Sequence, residues 1–392
     1  MIKIPGFLGS AVSSGIKKSG KLDLALIYSE VPARAAAVFT TNIVKAPPLL
    51  LGMERIKSGY CQAVLVNSGV ANAFTGKQGL QDSIVTSKHA ALELGIDENL
   101  LIPSSTGVIG DRLPIDKMKK AMPKLVQELR EDGFQDFADG IKTTDAFPKY
   151  AVKQISIGRK KGTIAVIGKG AGMIAPNMAT MLAYILTDFN VGKRALSKAL
   201  KSAVKNSFNK IIVDGDTSTN DTVLILANGK LGNQLIKESG AEYRKFENAV
   251  LEVASEVAEM IVQDGEGATK VVKIIVKGAK TEKDAEKIAR TLGTSLLVKT
   301  AFFGEDPNWG RIVAAAGRAG VNFDPSKIDL FFGDQKILSN SKKVMNEKKA
   351  QTVLKKPKFE VTLNIKSGKA SSFVIASDIT FEYVKINSYY RT

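Results

Sequence analysis

The sequence predicts a many-stranded α/β or α+β fold, and its pattern fits layered helix–sheet–sheet–helix packing. Three observations support this. Strand-like and helix-like segments alternate through the first half of the chain. Several strand candidates are apolar throughout, a pattern that suits sheets covered on both faces. Apolar residues make up 44% of the 392 and charged residues 24%, enough for a substantial core in an ordinary globular chain.

The elements follow in order. "KLDLALIYS" and "RAAAVFTTN" read as strands, and "CQAVLVNSG" as a third that ends in a glycine turn. "QDSIVTSKHAALELG" reads as a helix stopped by Gly95. "NLLIPSSTGVIG" is apolar, then small and polar. "PIDKMKKAMPKLVQELRED" has helical spacing, with Pro114 suited to a first turn. "YAVKQISIGRKKGTIAVIGKG" reads as a hairpin turning at "GRKKG". After "AGMIAPNMAT" comes the apolar strand "MLAYILTD", then the helix "KRALSKALKSAVKNSF". "KIIVDGDTSTNDTVLILANG" reads as two strands around a polar loop. A long helix over roughly Ala241 to Ile261 ends at "VQDGEGATK". The strand "KVVKIIVKG", the helix "EKDAEKIARTLG" and the loop "FFGEDPNWGR" follow, and the chain from about Lys327 is β-rich. The pattern changes near 270–280, which divides the chain into a main domain, 1–275, and a C-terminal α/β domain, 276–392.

Composition narrows the chemistry. With one cysteine, Cys61, no intrachain disulfide forms, and with one histidine, His89, neither a histidine-rich nor a cysteine-rich zinc site can be built. Cys61 reads as a small buried strand residue and His89 as an ordinary helix position. No metal-binding motif is present, so no metal is expected. The net charge of +17 comes from scattered lysines, without an aromatic-interleaved basic stripe, so nucleic acid is not the expected partner. No apolar run approaches the roughly 20 residues of a membrane span, and the N-terminal stretch lacks a signal-peptide core. A cytoplasmic protein is the expectation. "GKGAG" and "GEGATK" lack the spacing of nucleotide-binding loops.

Thr180 stands where the glycine- and proline-containing loop meets the apolar strand. A threonine hydroxyl is a poor nucleophile unless a base removes its proton. An N-terminal threonine carries such a base, its own α-amine, which titrates near about pH 8. An internal Thr180 gains that amine only if the chain breaks between Ala179 and Thr180. Small Ala179 leaves its carbonyl approachable, and Gly170, Gly172 and Pro176 permit an unusual bend before it. Read locally, the simpler account of Thr180 is a strand-starting residue, since threonine is a strand former.

The stretch "KGAGMIAPNMATMLAYILTD" closely resembles the self-cleavage region of the ornithine acetyltransferase family, the bifunctional glutamate N-acetyltransferase/ornithine acetyltransferases. "AAAVFTTN", "NSGVANAFTG", "SSTGVIG", "TTDAFPK", "DGDTSTND", "DGEGATK", "GEDPNWGRI" and the terminal "YVKINSYYRT" resemble further family motifs, in family order. The resemblance runs from near residue 10 to the last residue. It implies an α+β fold, the layered helix–sheet–sheet–helix sandwich of the self-cleaving type, and a reaction in arginine biosynthesis, with acetyl moved from N-acetylornithine to glutamate. Some members also use acetyl-CoA to acetylate glutamate, and none is expected to need a cofactor. It further implies a heterotetramer of two α chains, 1–179, and two β chains, 180–392.

By the same resemblance, Thr180 is the nucleophile and Ala179–Thr180 the cleavage site. Thr106 and Gly107 form the oxyanion site. Lys169 suits a substrate carboxylate and Glu266 a substrate ammonium. Thr143 contacts substrate, with Thr144 the alternative if the register slips by one. Asn387 and Thr392 bring the chain end back to the substrate, so the second domain closes the pocket. Val70 and Tyr389 depart from the residues more usual at their positions, but neither is among these roles. Related self-cleaving aminopeptidases and amidases share the mechanism and deliver the acyl group to water; the Lys169 and Glu266 pair favours an amino-acid acceptor.

Overall fold

The structure, a computed structural model, describes residues 2–175 and 181–389. The calls on Ala179, Thr180 and Thr392 lie outside the described residues. Two compact units cluster: Met1–Gly170 with Pro176–Asn209 and Thr217–Ala258, and Ala171–Ala175 with Lys210–Asp216 and Glu259–Thr392. The mixed α/β architecture of two sheets and helical layers is the one the sequence leads us to expect.

The first unit is built on β1 (Phe7–Val12), β2 (Leu24–Phe39), α1 (Pro47–Arg55), β3 (Tyr60–Val70), α2 (Gly76–Leu94) and β4 (Leu101–Val108). It continues with α3 (Ile115–Gln127), α4 (Phe134–Gly140), β5 (Lys149–Ile157), β6 (Lys160–Lys169), β7 (Leu182–Thr187) and α5 (Lys193–Asn206). The short β8 (Ile211–Ile212) leaves for the other sheet, and β9 (Thr222–Ala227) returns. The sheet order is β4-β3-β2-β9-β7-β6-β5, with β1 paired to β2. The two segments read as separate strands are one sixteen-residue strand, β2. Its register on β3 shifts between Tyr28 and Ala33, where Pro32 can donate no ladder hydrogen bond. The first half of β2 pairs with β1 and the second half with β9. The hairpin of β5 and β6 pairs Ile157 with Lys160, which confines its turn to Gly158 and Arg159.

Both faces of this sheet are covered. Ala25, Ile27, Val64 and Val66 share a core with Phe134 and Phe137 of α4. The alternate residues Leu24, Leu26, Ala63 and Leu65 share another with Ala90 of α2 and Met118 and Met122 of α3. The two-residue period of a strand explains the division. α2 ends at Gly95, whose φ of 65° closes the helix in the left-handed conformation.

α6 (Ala241–Gln263) crosses from one unit to the other, the change falling between Ala258 and Glu259, ahead of the change of pattern near 270–280. The second unit contains β10 (Val271–Ala279), α7 (Glu282–Gly293), α8 (Leu296–Phe303), α9 (Trp309–Gly317), β11 (Asp329–Phe332), β12 (Gln335–Ser339) and β13 (Lys342–Lys343). It closes with α10 (Glu347–Leu354), β14 (Lys358–Asn364), β15 (Ala370–Ser377) and α11 (Phe381–Ser388). Its sheet order is β13-β12-β11-β14-β10-β15-β8. Val272, Ile274 and Val276 of β10 pack with Ile288 and Leu292 of α7 and Phe302 of α8. Among the described residues no helix is long and apolar enough to cross a membrane.

Phe137 meets Tyr184 edge-on, ring centroids 5.4 Å apart, and both rings are buried. Phe137→Ala is expected to cost about 3–5 kcal/mol, because the cavity adds to the lost transfer energy. Equilibrium urea denaturation measures it.

Candidate active site

Three strand ends of the first unit bring the predicted residues together. β4 ends in Thr106, Gly107 and Val108, and β6 ends in Lys169. Lys169 pairs with Leu182, the first residue of β7, and Leu182 pairs on its other side with Thr222 of β9. The Thr222 N–H donates to the Met181 carbonyl at 3.0 Å, so the chain is held in register from its first described residue after 176–180.

Lys169 joins the cluster. Its buried ammonium donates to the Thr143 hydroxyl at 2.8 Å and to the Thr106 hydroxyl at 3.1 Å. It is therefore the Thr143 hydroxyl that Lys169 reaches. A hydroxyl has one hydrogen and two lone pairs, so Thr106, accepting from Lys169, keeps its own hydrogen for another acceptor. Gly107 has φ of 133°, and a Cβ there would stand 2.2 Å from the Gly69 carbonyl carbon. Only glycine allows β3 and β4 to approach so closely at this end.

A residue to which the sequence assigns no role organises the group. The Asp145 carboxylate accepts the Thr143 N–H at 2.9 Å, the Gly170 N–H at 2.7 Å and the Lys149 ammonium at 2.7 Å. Lys169 lies 3.9 Å from it. Burial alone would raise the Asp145 pKa; the charges of Lys169 and Lys149 and the hydrogen bonds outweigh burial and hold it well below the usual carboxylate range. Lys149 is fully buried against this carboxylate. Asp145 lies within the quoted motif "TTDAFPK", and its spacing of four from Lys149 is readable, but no sequence pattern reveals its bond to Gly170.

Asn220 is a second organising residue without a sequence assignment. Its amide donates to the Ala71 carbonyl at 2.6 Å and the Ser105 carbonyl at 2.9 Å, cross-linking the ends of β3 and β4. The Ser105 hydroxyl in turn donates to Asn67 at 2.6 Å. The neighbouring Asp221 carboxyl is pushed well up by burial, against hydrogen bonds from Ser218 and Thr40 and the charge of Lys169.

In the second unit, Glu266 is buried and accepts from the Asn387 amide at 2.8 Å, so these two predicted substrate contacts meet each other. The Glu266 N–H donates to the Ala171 carbonyl at 2.9 Å. Cys61 is buried in the first unit, where desolvation pushes its thiol up to about 12, as befits an inert core residue. His89 lies on α2 with Nε2 3.7 Å from Glu93, one helical turn away.

A protein-family model described as the ArgJ family matches residues 9–392. The chain is 49% identical over 394 residues to the arginine biosynthesis bifunctional protein ArgJ of Syntrophotalea carbinolica, covering 100% of both chains. It is 46% identical over 393 residues to the protein of the same name from Geobacter sulfurreducens, again covering 100% of both. Among solved structures, ornithine acetyltransferase from Mycobacterium tuberculosis, complexed with ornithine, is 39% identical over 45% of this chain and 94% of that one, with a TM-score of 0.40.

Asp145→Asn removes the charge while two buried ammonium groups remain. It is expected to destabilise the protein by about 3–5 kcal/mol at neutral pH. The folded pKa of Asp145 is depressed, so its contribution is complete above the unfolded value of roughly 4 and is lost as pH falls through the folded value. Denaturation curves recorded from neutral to acid pH should show that this part of the acid sensitivity is absent from the variant.

Proposed function

Because the chain belongs to the ArgJ family, we propose that it cuts itself between Ala179 and Thr180 and then carries acetyl from N-acetylornithine to glutamate as an ester on Thr180. It is an acyltransferase of arginine biosynthesis, acting between ornithine and glutamate. The observation that supports the finer reading is the convergence of Thr106, Gly107, Thr143 and Lys169 at the strand ends beside the start of β7.

The steps balance without a cofactor. The Thr180 hydroxyl attacks the Ala179 carbonyl, the C–N bond breaks, and an ester with a free Thr180 amine results. Water cleaves the ester, leaving a carboxylate on Ala179 and a free hydroxyl on Thr180. The amine then takes the hydroxyl proton as the oxygen attacks the acetyl carbonyl of N-acetylornithine. Negative charge develops on the carbonyl oxygen and is met by the Thr106 hydroxyl and the Gly107 N–H. Lys169, donating to Thr106, polarises that hydroxyl toward the oxyanion. The intermediate collapses, ornithine leaves with the proton, and acetyl remains on Thr180. The glutamate amine attacks the ester, the Thr180 amine passes its proton to the departing Thr180 oxygen, the C–O bond breaks, and N-acetylglutamate leaves with the hydroxyl restored.

Thr143, Lys169, Glu266, Asn387 and Thr392 are the proposed substrate contacts, with Glu266 suited to a substrate ammonium. Acetyl-CoA is a proposed second acetyl donor, and the mature form a cytoplasmic heterotetramer of two of each fragment.

Intact-mass measurement of purified wild type beside Thr180→Ala tests the reading. Two fragments are expected for the wild type, and one uncut, inactive chain for the variant. Incubation with N-acetylornithine and labelled glutamate should yield labelled N-acetylglutamate. Acetate with no N-acetylglutamate would make the protein a hydrolase instead. Thr106→Val should lower kcat by on the order of 100-fold with little change in melting temperature, since it removes one oxyanion donor.

A further inference from the structure

Ala171–Ala175 precede the proposed scission point, yet they cluster with the second unit. Three kinds of contact hold them. The Glu266 N–H donates to the Ala171 carbonyl at 2.9 Å, and the Val213 N–H to the Ile174 carbonyl at 2.6 Å. The Glu266 carboxylate packs on Gly172 so closely that a Cβ there would lie 2.4 Å from it. Above all, the Asp214 carboxylate accepts the two consecutive N–H groups of Met173, at 2.6 Å, and Ile174, at 2.9 Å.

Met173 has φ of 55°, the left-handed region that a residue with a side chain rarely adopts. Such a conformation persists only where its surroundings over-determine it. The two bonds to one carboxylate do so here, because aligning successive N–H groups on its two oxygens, Met173 on Oδ2 and Ile174 on Oδ1, fixes the turn at Met173 and Ile174. Asp214 is itself held by the Asp216 N–H at 3.2 Å. Its carboxyl is pushed up by burial, against those backbone donors. No step of the acetyl transfer uses Asp214.

We propose that Asp214 is a positioning residue for self-cleavage: it clamps the chain at Met173 and Ile174 and so fixes the backbone that leads to the scissile bond. It touches neither the attacking hydroxyl nor the attacked carbonyl, and acts through the two N–H groups. The inference rests on the scission proposed above.

The test follows cutting in newly synthesised full-length chain by cell-free translation with timed samples. Asp214→Asn keeps the shape but turns an amide donor toward one of the N–H groups. It should slow cutting by at least about tenfold, the effect expected of losing one charge-assisted bond. Met173→Gly keeps the N–H and tolerates the left-handed turn, so it should cut at the wild-type rate. Met173→Val, β-branched and ill suited to that turn, should cut slowly. Melting temperatures of Asp214→Asn, Met173→Gly and Met173→Val, each measured in the uncut Thr180→Ala background, should match that of Thr180→Ala alone.

Slow cutting in Asp214→Asn and Met173→Val, with wild-type cutting in Met173→Gly and an unchanged melting temperature, supports the clamp. Wild-type cutting in Asp214→Asn overturns it, as does slowing that follows a fall in melting temperature across all three variants. A wild-type chain that stays whole and fully active overturns the scission reading itself, and this outcome is distinct from the others.

Discussion

The buried Asp145 carboxylate is the interaction on which the arrangement of the first unit's strand ends depends. It lies among groups that would otherwise repel or be left unpaired: two ammonium groups and two backbone N–H donors. Removing any carboxylate from water is costly, and here the cost is offset because the groups paired with it are donors and cations. The consequence is geometric. The Thr143 and Gly170 backbones are tied to one point, and Lys169, immediately before Gly170, is directed onto the Thr106 and Thr143 hydroxyls. The placement of the Lys169, Thr106 and Thr143 side chains at the ends of β4 and β6 is therefore set by a neighbouring carboxylate.

The same site relies on the absence of side chains. Gly107 lets two parallel strands approach until a methyl group would overlap the Gly69 backbone. Asn220 then joins the two strand ends through their carbonyls, so the Thr106–Gly107 peptide is held by its neighbours on both sides. A backbone N–H held in this way can meet a developing negative charge without reorganising. The second unit uses the same logic at Gly172, where a carboxylate occupies the space a side chain would fill.

Much of this was legible in the sequence, and the limits have physical causes. The helices α2, α5, α6 and α7 and the hairpin of β5 and β6 announce themselves by period and by their stops. β2 reads as two strands because the "SEVPA" stretch interrupts its pattern, while the ladder with β3 tolerates a local shift. β8 and β9 read as a pair around a loop, yet each joins a different sheet; strand pairing is a long-range choice that local pattern does not encode. The resemblance names Thr106, Gly107, Thr143 and Lys169, and the structure gathers them into one cluster. Glu266 and Asn387 are bonded to each other in the second unit. Asp145, Asn220 and Asp214 carry no such signal, because an aspartate or asparagine in a loop looks the same whether it faces water or a row of buried donors.

The order of strands in the first sheet has a further consequence. β7 and β9 lie between β2 and β6, so strands from beyond residue 180 are flanked on both sides by strands from before it. A nick at that point would leave two polypeptides woven into one sheet, with a hydrogen-bonded seam on either side of the guest pair. They could not part without unzipping both seams. Once dissolved in denaturant, however, the halves would have to find one another across solution, at a rate set by their concentration. A chain cut there would need its shape first and its severance second, and would keep a form that its separate pieces no longer have an intramolecular route to regain.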